Sequence, residues 1–228
     1  MKTALLVCDH VPESLVQTYG TYPDMYGRLL KLPFDTFYVC DGIFPDVEEY
    51  DLFVCTGSKY SVYEDYPWIH TLKTFTLNAY KAGKKYVGVC FGHQMIAEAL
   101  GGTVQPAKQG YLIGVHQFTI LKEKAWMIPF EPTYSVLMLC RDQVADMPTG
   151  TELLASSPDC GVGIFTVGNH FLGIQGHPDF TPEYNKSLFQ SRLQKSEPEK
   201  VRLAIKSLKQ KPENSTLAGY IHRFITQN

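Results

Sequence analysis

Runs of four or five largely apolar residues, closed by turn-forming or polar residues, recur through the first half of the chain at 4–8, 36–40, 52–55 and 86–90. Unbroken apolar runs of this length suit strands buried on both faces, as in a parallel sheet. Between them the periodicity predicts helices over 24–32, with Asp24 as N-cap, over 68–82, stopped by Gly83, and over 94–100, stopped by Gly101-Gly102. Alternating strands and helices predict an α/β sandwich on a mainly parallel sheet. Right-handed crossovers then gather the strand-to-helix loops along one carboxyl edge, where such folds bind ligands.

From 102 to 174 the pattern changes to short alternating or β-branched stretches at 114–121, 135–139, 162–167 and 171–174, separated by Gly, Pro and Asn. This predicts an antiparallel β extension. The tail returns to helix: Thr181 caps a segment with Pro182 at its first position, 197–209 is amphipathic, and 216–226 forms a last helix. The charge cluster at 195–211 reads as a solvated helix face. With no internal repeat, low-complexity stretch or long linker, residues 1–228 are expected to form one domain.

Composition narrows the function classes. Lys+Arg at 21 against Asp+Glu at 23 gives a formal net charge of -2, which argues against a nucleic-acid-seeking surface. The only apolar run near the N-terminus stops at Asp9 and His10, too short for a signal-peptide core or a membrane span. Six cysteines, at 8, 40, 55, 90, 140 and 160, include no C-x-x-C pair and no zinc-type spacing. Scattered thiols of this kind suit a reducing, cytoplasmic compartment, most of them as buried apolar residues.

One of the six stands apart. Gly88-Val89-Cys90-Phe91-Gly92 falls at the junction of a buried strand and a helix and has the G-x-C-x-G form of a nucleophile elbow. Small residues on either side relieve crowding at such a turn, so that the central side chain projects from the sheet edge. The turn also aims the Phe91 amide and the helix N-terminus at whatever the sulfur attacks, which favours negative charge there. By itself the pentapeptide is equally compatible with a strand-end cysteine whose glycines serve packing, because a thiol needs a base or a strong local field to act as a nucleophile.

His177, in Gln175-Gly176-His177-Pro178-Asp179, is the candidate base. It follows the 171–174 strand, and Asp179 stands two residues on, where a carboxylate can fix the imidazole tautomer and orientation. Thr56-Gly57-Ser58, directly after the third strand, is a turn whose amides could join Phe91 in an oxyanion hole. It lacks the spacing of a phosphate loop.

Together these motifs resemble the class I (triad) glutamine amidotransferases. Gly88 to Gln94 is similar to the family's nucleophile motif, Gly176-His177-Pro178-Asp179 to its Gly-x-His-Pro-Glu motif, and Thr56-Gly57-Ser58 to its oxyanion loop. Ala99-Leu100-Gly101-Gly102 and Asp142-Gln143-Val144 extend the likeness. Gln175-Gly176-His177-Pro178 is most similar to the free-standing GMP-synthase-like subgroup, which includes γ-glutamyl peptidases.

The resemblance implies a flavodoxin-like three-layer sandwich and a Cys-His-acid triad with Cys90 as nucleophile, His177 as general base and acid, and Asp179 as orienting carboxylate. It further implies oxyanion donors at Phe91 and at Gly57 or Ser58, with Gln94 and Asp142 on the substrate side. The substrate would be glutamine or a γ-glutamyl compound, cleaved through a γ-glutamyl thioester without metal or organic cofactor. The chain ends at Asn228 with no room for a synthetase domain, so either ammonia passes to a separate synthetase subunit or the protein is a free-standing hydrolase. Two positions depart from the family: Asp179 replaces Glu, and Cys140 replaces the His of a His-x-Asp-x-Val motif. Both support an alternative, a catalytically weak or silent small-molecule-binding protein on the same fold.

Overall fold

The computed structural model describes residues 1–227. In chain order its elements are β1 (Thr3–Val7), α1 (Glu13–Tyr19), α2 (Tyr22–Leu30), β2 (Asp35–Tyr38), β3 (Leu52–Cys55), α3 (Pro67–Lys81), β4 (Lys85–Val89) and α4 (Phe91–Ala99). The second half comprises β5 (Thr103–Pro106), β6 (Leu112–Ile120), β7 (Thr133–Cys140), β8 (Asp142–Asp146), β9 (Thr151–Ser157), β10 (Cys160–Val167), β11 (Phe171–Ile174), α5 (Pro182–Leu193), α6 (Pro198–Ser207) and α7 (Asn214–Thr226).

Nine strands form one sheet in the order β2-β1-β3-β4-β11-β10-β9-β6-β7, and β5 pairs with β8 in a separate ribbon. β2, β1, β3, β4 and β11 are mutually parallel, and the rest of the sheet is antiparallel. The strand expected at 171–174 as part of the antiparallel region is therefore the joint: it runs parallel to β4 on one side and antiparallel to β10 on the other. That insertion sets the end of β11 beside the end of β4, with Ile174 level with Val89.

Alternation along the buried strands explains the three layers. In β1, Leu5 and Val7 join a core with Met25, Tyr26, Leu188 and Phe224 from α2, α5 and α7, while Ala4 and Leu6 join a second core with Leu72, Met95 and Ile96 from α3 and α4. The apolar strands are buried on both faces because helices cover both.

Several local details differ from the sequence expectation. Thr21, not Asp24, caps α2; Asp24 is its third residue and closes a capping box, accepting 2.7 Å bonds from the Thr21 amide and hydroxyl. The second strand stops at Tyr38, and residues 39–41 form a single 3-10 turn ended by Gly42 at φ 81. α1, β5, β8 and β9 have no counterpart in the sequence reading. All six cysteines are free; Cys40 is half-buried and the other five are buried. Among the described residues no helix is long and apolar enough to cross a membrane.

Candidate active site

Cys90 occupies the single residue between β4 and α4, with φ 53 and ψ -101. This is a region L-residues rarely adopt, at a cost of about 1–3 kcal/mol. The flanking glycines make the turn possible. A Cβ at Gly88 would lie 2.3 Å from the Gly92 carbonyl oxygen, and one at Gly92 would lie 2.5 Å from that of Cys55. The elbow is pinned from both neighbours, since the Cys90 amide donates to Ile174 O at 2.8 Å and Cys90 O accepts from Gln94 N at 3.0 Å.

His177 follows β11 at the same sheet edge and is held in place by its own amide, which donates to Leu137 O on β7 at 2.8 Å. Its Nδ1 lies 3.2 Å from Asp179 Oδ1, and its ring stacks on Phe180 with centroids 3.9 Å apart and planes 9° apart. On another side it meets Gly57: a Cβ there would come within 2.7 Å of His177 Cε1 and 3.6 Å of Cys90 Cβ. The space a side chain at Gly57 would fill is thus bounded by the histidine ring and the cysteine. Burial opposes charge on His177, but the neighbouring Cys90 and Asp179 outweigh it and raise the imidazole to about 10.

The turn bearing Gly57 is fastened to the end of β1. Thr56 Oγ1 accepts from Cys8 N at 2.9 Å, and Ser58 Oγ donates to Cys8 O at 2.8 Å. Buried Asp9 accepts from Lys59 N at 3.0 Å and from Lys59 Nζ at 2.9 Å. The Gly57 and Ser58 amides donate to no protein group among the described residues, and the Phe91 amide, at the first position of α4, has no intrahelical acceptor. These donors are available to an anion.

Beside Cys90 opens a cleft of about 410 Å³ whose lining includes Ser58, Gln94, Cys140 and Asp142. Gln94 Nε2 donates to Asp142 O at 2.7 Å and to Gln175 Oε1 at 3.1 Å. The Asp142 carboxylate accepts from Ser61 Oγ, from Tyr63 OH at 3.0 Å and from Arg141 Nε at 3.2 Å. Both residues expected on the substrate side therefore reach one cleft and one network. Burial, then the neighbouring Cys90, push the Cys140 thiol well above its usual range. Three potential metal-ligating atoms approach within 4.8 Å only at His10, Cys40 and Asp41 among the described residues, and none of these lines the cleft.

The glutamine amidotransferase class-I family model matches residues 48–195, which contain the elbow, the turn at Gly57, and His177 with Asp179. The chain belongs to that family. It is 34% identical to gamma-glutamyl peptidase 3 of Arabidopsis thaliana over 81% of this chain and 76% of the relative. It is 29% identical to one subunit of the glutamine-hydrolyzing GMP synthase of Saccharolobus solfataricus over 59% of this chain and 70% of that one. Its fold matches that of a glutamine amidotransferase from Thermotoga maritima with TM-score 0.81 at 20% identity, covering 99% of both chains.

Within this class-I domain, sequence reasoning misses the residues that support the cleft. Asp9 secures the turn after β3 from the end of β1, Phe180 backs the His177 ring, and Ser61, Tyr63 and Arg141 surround Asp142. Only Phe180 and Arg141 adjoin a recognisable motif.

Proposed function

We propose that the protein hydrolyses γ-glutamyl amides with a Cys90-His177-Asp179 triad. The observation that carries this reading is the meeting of three strand ends: a cysteine at positive φ, an imidazole paired with a buried carboxylate, and Gly57, where any side chain would run into the imidazole and meet the cysteine. The Cys90 thiolate attacks the γ-carbonyl, and the amides of Phe91 and of Gly57 or Ser58 receive the oxyanion. The tetrahedral intermediate collapses by breaking the C–N bond, the His177 imidazolium gives its proton to the departing amine, and a γ-glutamyl thioester remains. Neutral His177 then takes a proton from water as its oxygen attacks the thioester, releasing glutamate and restoring the thiolate–imidazolium pair.

Asp179 reaches His177 despite being one methylene shorter than Glu, which favours the active over the silent reading. In the same reading residues 1–228 act as one domain in the cytoplasm, where free thiols persist. If ammonia is the product, a separate synthetase subunit takes it; if an amino acid or peptide leaves, none is needed. The test is glutamate release by the purified protein from glutamine and from γ-glutamyl dipeptides. Release from either supports the reading, and release from neither contradicts it.

A further inference from the structure

Away from the cleft, the carboxyl edge of the sheet brings a second set of reactive side chains together. β1 and β2 are parallel neighbours with Val7 level with Tyr38, so the residues that follow each strand emerge side by side. His10 follows the first. Cys40 and Asp41 follow the second, in the 3-10 turn closed by Gly42, whose amide donates to Val39 O at 3.0 Å. Three of their atoms form a triangle: His10 Nε2 lies 3.0 Å from Asp41 Oδ1 and 3.7 Å from Cys40 Sγ, and that sulfur lies 3.8 Å from the same carboxylate oxygen.

A hydrogen bond between His10 and Asp41 explains one side of that triangle but not a sulfur set against the same two atoms, because a thiol has a single, weak hydrogen to give. A tetrahedral zinc ion explains all three sides. With bonds of about 2.0–2.1 Å to nitrogen and oxygen and about 2.3 Å to sulfur, its ligands stand roughly 3.3 Å apart for N and O and roughly 3.5–3.6 Å apart for S with either. Each observed separation lies within about 0.3 Å of its counterpart. The imidazole is already oriented, since its ring stacks on Tyr38 with centroids 5.1 Å and planes 9° apart, and the His10 amide donates to Asp9 Oδ1 at 2.8 Å. A thiolate and a carboxylate beside a neutral imidazole also carry the two negative charges that offset a dication. The side chains of His10 and Asp41 are 57% and 49% exposed, which leaves an entry path and a fourth corner open to water.

We propose that His10, Cys40 and Asp41 form a zinc site, completed by water, that clips the end of β1 to the end of β2. The inference is independent of the reaction proposed at Cys90, because none of the three residues lines that cleft. One link joins the two places: Asp9, which receives the His10 amide, also receives Lys59 N and Nζ and so secures the turn that bears Gly57. A metal ion that fixes His10 therefore steadies that turn from behind. The ligands come from two loops 30 and 31 residues apart, a separation that no short spacing motif covers.

The experiment titrates the full chain carrying Cys90→Ala, which removes the cleft thiol as a competing ligand, with Co²⁺ and then Zn²⁺ under anaerobic conditions. A single cobalt ion per chain is expected, with a thiolate-to-cobalt charge-transfer band and the intense visible bands of a tetrahedral ion, both bleached by zinc. In that background Cys40→Ser should abolish the charge-transfer band, and Cys40→Ser and His10→Ala should each weaken zinc binding by at least about 10²-fold. Both side chains are exposed or half-buried, so circular dichroism should stay that of the parent. Zinc should raise the thermal midpoint of the Cys90→Ala protein but not that of its Cys40→Ser derivative. No charge-transfer band in the Cys90→Ala protein, or a band that survives Cys40→Ser, would overturn the inference.

Discussion

Gly57 is the residue at which the site has least room. Its missing side chain is the space occupied by the His177 ring edge, and that ring cannot retreat because Phe180 stacks on its face. Gly57→Ala should therefore displace the imidazole from Cys90 and lower kcat by about 10²-fold, measured as glutamate release, while far-UV circular dichroism stays that of the parent. Charge at His177 gives a second prediction. Its folded value, about 10, lies above the ordinary 6.5, so the stabilisation it brings is complete below 6.5 and is lost as pH rises through about 10. Activity should fall over the same alkaline limb, because the imidazolium that protonates the leaving amine disappears. In Cys90→Ala, where the thiolate no longer opposes burial, the His177 titration followed by NMR should move to lower pH. Cys90 and His177 were legible in the sequence because an elbow and a strand end are defined by adjacent residues. Asp9, Ser61 and Tyr63 were not, since their partners lie 50, 81 and 79 residues away.

At the scale of elements, the junction of β4 and α4 depends on two backbones in near contact. A methyl group at Gly88 would collide with the Gly92 carbonyl rather than with a movable side-chain tip. Gly88→Ala should cost about 3 kcal/mol or more in urea unfolding and abolish activity together with stability, unlike Gly57→Ala. The parallel strands and α3, α4 and α5 were readable because burial on both faces or along one helix stripe imposes a strong pattern, reinforced by the Thr181-Pro182 start of α5. The elements that escaped notice carry weak patterns. α1 has no fully buried residue, and β5 buries only Val104 among its four positions. β8 matters more for function, because its pairing with β5 carries Asp142 into the cleft.

For the whole molecule, the decisive feature is the sheet order. Local pattern identified an α/β half followed by a β-rich half, but not that β11 returns to lie between β4 and β10. That long-range pairing unites the two halves in one sheet and places His177 beside Cys90, although the motifs that bear them lie far apart along the chain. The proposed catalytic unit is thus complete within one chain, and hydrolysis of γ-glutamyl peptides should require no second protein. The central claim is that Cys90 is the nucleophile. Its most direct test is glutamate release from a γ-glutamyl dipeptide by wild-type and Cys90→Ala proteins, with acid-quenched samples examined by mass spectrometry. The account predicts a γ-glutamyl adduct on the Cys90 peptide of the wild type and no turnover in the variant; undiminished glutamate release by Cys90→Ala would contradict it.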